Sequence, residues 1–433
     1  MRIVKLTEKT KKNILKNLLK RNLNQHSAYE ADVNEIIENV KQKGDAALFE
    51  YTEKFDEACL TSKTLQVQEE EIEEAYQLVN EKFLDVMRKA LINIRSYHEK
   101  QRQNSWFHSE ENGTLLGQKI TPIARVGIYV PGGKAFYPSS VLMNIIPAKV
   151  AKVSEIIMTT PCNVEGKVNP SVLVAAHEAG VNKVYKVGGA QAIAALAYGT
   201  DSIPKVDKIV GPGNIYVALA KKAVYGNVSI DSIAGPSEIL ILAESSANPR
   251  YIAADLLSQA EHDEMASAIL ITTSQELAEK VSLEIKRLLN RLSRRSIIEK
   301  SLDHFGYILI ADTKADIIEA ANTIAAEHLE IMMENPFEVM TKIKNAGAIF
   351  IGEYSCEPLG DYFAGPNHIL PTNGTAKFFS PLSVDDFLKK SSVIYYSREA
   401  MKSIHNDIEQ FATFEQLTAH ANSVSVRFEG KEF

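Results

Sequence analysis

Residues 126–130 read VGIYV, 155–160 EIIMTT, 184–187 VYKV and 208–210 KIV; further on, 238–243 read EILILA, 268–273 AILITT, 307–311 YILIA and 348–352 AIFIG. Each is a short run rich in Val and Ile. Helical patterns, several rich in Ala, separate most of them. This alternation predicts parallel sheets with helices on both faces, and two sets of strands predict two doubly wound α/β domains. Upstream, residues 7–22 and 29–54 carry Leu and Ile at helical spacing, and 71–103 reads as one long charged helix. Residues 353–380 have Gly, Pro and Asn but little periodicity; a loop of that length is usually functional or disordered, and this one has too many aromatic and charged residues for a linker. The last ~50 residues read as a small helical tail ending in EQLTAHANSVSVRF; so few apolar positions do not make a core of their own.

A chain of 433 residues implies two to four domains of about 100–200 residues each. With 45% hydrophobic and 24% charged residues, disorder, collagen and disulfide-rich mini-proteins are excluded. Forty-eight basic against 55 acidic residues leave a net charge of −7, a surface that does not favour a nucleic-acid partner. Cys59, Cys162 and Cys356 are widely spaced, which predicts a reducing compartment. The opening MRIVKLTEKTKK has no apolar core of a signal segment, and no apolar run approaches the ~18 residues of a membrane span. A cytoplasmic protein with no membrane partner is expected. Walker, HExxH and GxSxG sequences are absent, which counts against P-loop enzymes, metzincins and α/β-hydrolases.

Three glycine turns follow strands of the first set: Pro131-Gly132-Gly133, Gly188-Gly189-Ala190-Gln191 and Gly211-Pro212-Gly213-Asn214. Backbone N–H groups at a strand-to-helix turn suit an anion or nucleotide, although spacing alone reads equally as plain connecting turns. The third has Tyr216 where the dinucleotide fingerprint wants its last glycine, so Asp231, about twenty residues on, reads as a coincidence.

Six histidines (His26, His98, His108, His177, His304, His405) sit among polar neighbours and read as structural or exposed. Gln259 and His262, at i and i+3 in DLLSQAEHDE, share a helix face and suit one metal ion, but on spacing alone a solvated helix end is the better reading. Asp361 and His368 share the loop GDYFAGPNHILPT, as converging side chains or as a structural turn. Glu327-His328 closes a helical stretch; an imidazole with a carboxylate beside it suits proton transfer, and a terminal His favoured by the helix dipole is the competing reading. Glu415 and His420 lie five apart in EQLTAHA, which does not place them on one side of a straight helix.

Together, RVGIYVPGGKAFYPSSVLMNIIPAKVA, GGAQAIAALAYGT, GPGN, AGPSE, LLSQAEHD, AAEHLE, NAGAIF, GDYFAGPNHILPT with GTAKFFSPLSVDDF, and EQLTAHANSV closely resemble the histidinol dehydrogenase family, in order and over essentially the whole chain. The resemblance implies a zinc-dependent homodimer with one zinc per subunit. It implies oxidation of L-histidinol to L-histidine through L-histidinal with two NAD, the last step of histidine biosynthesis. Carried over by motif, zinc falls to Gln259, His262, Asp361 and His420, and those residues with Ser237, His328, His368 and Glu415 line the substrate pocket. Tyr129, Gln191 and Asn214 contact NAD, and Glu327 and His328 carry the acid–base chemistry. One departure is Glu415-Gln416-Leu417, where the family usually has EGL. An oxidoreductase of another polar alcohol, a zinc hydrolase and a non-catalytic nucleotide-binding module are the rival readings.

The expected architecture is α/β: two incomplete Rossmann-like doubly wound domains, an N-terminal helical segment and a small C-terminal helical tail. Residues 1–24 form the N-terminal extension. Residues 25–125 with 238–380 form the larger domain carrying zinc and the acid–base pair. Residues 126–237 form the NAD-binding domain, and 381–433 a tail exchanged between subunits that share their active sites.

Overall fold

A computed structural model describes residues 1–19, 27–132, 136–233 and 235–429. His26, Gly133, Ala234 of AGPSE and residues 20–22 of the expected first helix lie outside the described residues. The chain divides into two units, residues 1–101 with 123–387, and residues 102–122 with 388–433.

In the first unit, β4 (Arg125–Tyr129), β5 (Glu155–Thr159), β6 (Lys183–Tyr185), β7 (Lys208–Val210) and β8 (Ser229–Ile230) form a parallel sheet in the order β6-β5-β4-β7-β8. A second parallel sheet takes β1 (Arg2–Lys5), β9 (Glu238–Ala243), β10 (Ser267–Thr272), β11 (Gly306–Ile310), β12 (His328–Met332) and β13 (Ala348–Ile351), in the order β1-β11-β10-β9-β12-β13. Counted from β4 and from β9, both sheets run third–second–first–fourth–fifth, one strand short of the full dinucleotide order. Every residue of β9, β10 and β12 is buried, as parallel strands covered on both faces require. Ile239 and Ile241 join one apolar cluster with the helices Pro249–Ala260 and Gln275–Leu289; Leu240 and Leu242 join another with the helix Lys314–Ile324.

Several expectations are corrected. The segment 1–24 is not only helical, because β1 precedes the helix Glu8–Leu19 and pairs with β11. The single helix over 71–103 is two, Glu69–Leu78 and Glu81–Glu99, because the Asn80 side chain accepts from the N–H groups of Lys82 and Phe83 and starts a new helix. Of the range 25–125 expected in the larger domain, the helix Ser27–Lys43 packs instead beside the first sheet, whereas Asn93 and His98 do meet Phe363 and Asn367 of the long loop. Val33, Ile36, Ile37 and Val40 of the helix Ser27–Lys43 pack with Ile193, Leu196 and Val217 beside the first sheet. Each such side chain contributes about 1.5–3 kcal/mol by burial, whereas an exposed pair such as Lys222–Glu30 is worth about 0–1, so burial decides the placement. Glu327-His328 does not end a helix: the helix Lys314–Ile324 stops at Ala325, which is left-handed at φ 54°, and His328 opens β12.

The second unit holds an antiparallel sheet, β14-β3-β2, built from β2 (Trp106–Ser109), β3 (Leu115–Pro122) and β14 (Leu388–Tyr395). The tail therefore opens with a strand before its helices Arg398–Phe414 and Thr418–Ser425. Glu415 caps the first of these, and Gln416 turns the chain into the second at φ 62°. A left-handed non-glycine costs about 1–2 kcal/mol, and glycine returns about 0.4–1 through the freedom of the unfolded chain. Gln416→Gly should therefore raise the melting temperature slightly, while Gln416→Ala, which keeps a Cβ, should not. A lower melting temperature for the glycine variant would show that the Gln416 side chain contributes more than its backbone costs.

Candidate active site

The expected acid–base pair sits at the amino end of the second sheet, not at the carboxyl end where open α/β sheets usually bind ligands. Glu238, the first residue of β9, orients both members through its main chain. Its N–H donates to Glu327 Oε2 at 2.9 Å, and its carbonyl lies 3.1 Å from His328 Nδ1. A carbonyl only accepts, so Nδ1 carries the proton and Nε2 keeps its lone pair. That Nε2 lies 4.0 Å from Asp361 Oδ1. Burial pushes the His328 pKa down, keeping the ring neutral, and burial lifts the Glu327 carboxyl well above its usual range.

Asp361 comes from the short helix Glu357–Tyr362, part of the long loop. Burial first, and then the neighbouring Glu357 carboxylate, push its pKa up to about 8. His368 Nδ1 bonds the Asp361 carbonyl at 3.1 Å and its Nε2 meets Ser140 Oγ at 3.1 Å. By the same logic Nδ1 donates and Nε2 accepts. Burial pushes the His368 ring down to about 4.

His262 lies beyond the end of the helix Pro249–Ala260, so the shared helix face expected for it and Gln259 is corrected. His262 and Ser258, the neighbour of Gln259, both meet the long loop. His262 Nε2 lies 3.6 Å from Glu357 Oε1, and Ser258 Oγ donates to Glu357 Oε2 at 2.8 Å. Burial alone would raise the Glu357 carboxyl, but the nearby His262 imidazole and the Ser258 hydroxyl outweigh it and hold it at about 2. His262, Glu357 and Asp361 bring one ligand atom each within 4.8 Å of one another. Gln259 is fully buried, and neither its Oε1 nor its Nε2 has a hydrogen-bond partner. An orphaned buried amide is costly; taken with the imidazole and two carboxylates of the cluster, its donor chemistry suits a divalent cation. Glu357 was not singled out from the sequence, although its spacing of four from Asp361 on a short helix was a readable signal.

Ser237 immediately precedes Glu238, and its carbonyl accepts the Ser267 N–H at 3.0 Å. Glu415 and His420 lie in the second unit, where both line one groove with Ile404, Ile408, Phe411 and Leu417.

At the carboxyl ends of the first sheet the other candidates converge. The Tyr129 hydroxyl accepts the Gly189 N–H at 3.2 Å, and burial lifts its pKa to about 12. Gln191 is buried with Oε1 unpartnered. A Cβ on Gly189, at φ 64°, would fall 2.5 Å from that oxygen. Asn214 is exposed, and its Oδ1 caps the helix Ile215–Val224 through the N–H groups of Tyr216 and Val217. A cavity of about 450 Å³ opens beside Pro131, Gly132, Thr160 and Pro161, at the ends of β4 and β5.

Fold and site together define an α/β enzyme whose second parallel sheet carries a buried Glu327–His328 pair and, near it, one exposed imidazole and two carboxylates that suit a metal. The family model described as histidinol dehydrogenase matches residues 19–428. Histidinol dehydrogenases of Caldanaerobacter subterraneus and Clostridium acetobutylicum are 58% and 59% identical, covering 92% and 91% of both chains. The crystal structure of histidinol dehydrogenase from Elizabethkingia anophelis is similar at a TM-score of 0.94 and 37% identity, over 99% of this chain and 98% of that one. The chain belongs to the histidinol dehydrogenase family, and is an oxidoreductase. Among the described residues, no helix is long and apolar enough to cross a membrane.

Proposed function

We propose that this enzyme oxidises L-histidinol to L-histidine through L-histidinal, with two NAD and one zinc per subunit, in the cytoplasm. The observation that carries the reading is the anchored His328, whose Nδ1 is held by the Glu238 carbonyl while Nε2 faces the Asp361 pocket. In this reading His328 Nε2 takes the proton of the alcohol hydroxyl as hydride leaves the carbinol carbon for NAD. The aldehyde then adds water: the ionised form of Glu327, whose proton affinity burial raises, takes a proton from that water as its oxygen bonds the carbonyl carbon, and His328 returns its proton to the carbonyl oxygen. The hydrate gives up a second hydroxyl proton to His328 Nε2 and a second hydride to fresh NAD.

Gln259, His262 and Asp361, joined by His420, would hold the zinc. When bound, the metal would fix the amine and imidazole nitrogens of the substrate rather than activate water. Ser237, His368 and Glu415 complete the pocket, and Tyr129, Gln191 and Asn214 border NAD. The division of labour follows: residues 126–237 for NAD, 238–380 for zinc and proton transfer, and 381–433 for a neighbouring subunit. The ratio of NADH formed to histidinol consumed tests the whole. A ratio near two supports this reading, near one means a simple alcohol dehydrogenase, and no NADH means a hydrolase or a binder.

The homodimer with shared sites has its own support. Phe411 is 71% exposed and Phe414 92%, beside the groove that holds Glu415 and His420; apolar surface of this kind marks an interaction face. Glu327→Gln and His420→Ala, each inactive alone, should complement after refolding together. In a mixed dimer one site collects both defects and the other neither. About half of all dimers are mixed on random reassortment, so activity should return to roughly a quarter of wild type. Verified heterodimers as inactive as either parent would place the tail in its own subunit's site.

A further inference from the structure

The third glycine turn is held by a buried ion pair that the proposed chemistry does not use. Lys221, on the helix Ile215–Val224, and Asp231, just past β8, have side chains 3% and 5% exposed and bond each other directly. Each also grips Gly211: Lys221 Nζ donates to the Gly211 carbonyl at 3.0 Å, and Asp231 Oδ2 accepts the Gly211 N–H at 2.9 Å. Both polar groups of one glycine are thus tied to one charged pair. Gly211 stands at φ 117°, and a Cβ there would fall 2.1 Å from the Tyr129 carbonyl oxygen. Its backbone therefore rests against the end of β4, between β4 and β7, where the winding of this sheet reverses and a dinucleotide crevice forms.

A lysine near a glycine turn can hold a phosphate, and an aspartate about twenty residues past one can hold a ribose hydroxyl. The mutual pairing and burial of Lys221 and Asp231 leave neither for such a task. A buried ion pair is a poor source of stability, because apolar residues of similar volume often serve as well or better; what it supplies is a fixed geometry. We propose that Lys221 and Asp231 are positioning residues for the dinucleotide: by clamping Gly211 they set the distance between the ends of β4 and β7 and the aim of the turn 211–214 that presents Asn214. This inference rests on the reading that NAD binds at these turns.

The test uses full-length enzyme, NAD binding by calorimetry, and the KM of each substrate. Asp231→Asn keeps an acceptor for Gly211 but loses the charge; it should raise the Kd and KM for NAD at least fivefold, with the KM for histidinol within twofold of wild type. Lys221→Met/Asp231→Leu separates positioning from stability: it should melt at or near the wild-type temperature and still bind NAD at least fivefold more weakly. If either variant, folded, binds NAD as wild type does, the clamp is only structural and the inference falls. If wild-type enzyme fails to bind NAD, the underlying reading falls with it, which is distinct from a wild type that binds NAD and variants that bind it equally well.

Discussion

His328→Ala should lower turnover of histidinol by about 10²–10⁴-fold, the usual contribution of a positioned proton acceptor. Both oxidations should slow, because each releases a hydroxyl proton. The loss should appear in kcat more than in NAD binding, because Tyr129, Gln191 and the turn 211–214 belong to the other sheet. Zinc content should stay near one per subunit. Glu327→Gln should be selective in a different way. It keeps an acceptor for the Glu238 N–H, which bonds Oε2 at 2.9 Å, but cannot take up a proton. Oxidation of histidinol to the aldehyde should survive better than the overall reaction. Rapid-quench measurement of aldehyde and NADH in a single turnover distinguishes the two variants. Equal rates for wild type and His328→Ala would remove the imidazole from the chemistry.

Chelation should abolish turnover, and zinc should restore it. The expectation rests on the orphaned amide of Gln259 and the convergence of His262, Glu357 and Asp361. His262→Asn should lose zinc by at least tenfold in affinity and raise the KM for histidinol with it, while the Kd for NAD is unchanged. Replacing Gln259 by Leu should sort the two possible roles of the buried amide. If it serves the metal, zinc affinity falls; if it is only a packing residue, removing an unsatisfied polar group leaves zinc affinity intact and stability equal or higher. Full activity in protein shown to be metal-free would end the zinc reading.

Much of the fold was readable where local pattern and tertiary need coincide. EILILA (238–243) is buried along its whole length, so its apolar run announces a strand without help from its neighbours. β14, LKKSSVIY, was not readable, because its side chains are mostly exposed and its stability comes from pairing with β3. β12 misled for another reason. AAEHLE continues the helical composition before it, and only the left-handed turn at Ala325 and the pairing of His328 with Ile239 and Ala348 make it a strand. Asp231 read from the sequence as a coincidence, because its pairing with Lys221 and Gly211 needs the helix folded back onto the turn.

The linear order of residues specifies the alternation of elements, and through its long ordered motifs the family and the residues to watch. Both are properties of consecutive residues, since periodicity and motif are written along the chain. Tertiary structure decided which residues act together and in what state. Glu238 meets Glu327 and His328 through its main chain, which no side-chain pattern encodes. Glu357 enters beside His262 only when the long loop folds against the helix Pro249–Ala260. The neutral ring of His328 and the raised carboxyl of Glu327 follow from burial, because the cost of a charge depends on the medium around it, and that medium exists only after the two sheets and their helices have closed over the site.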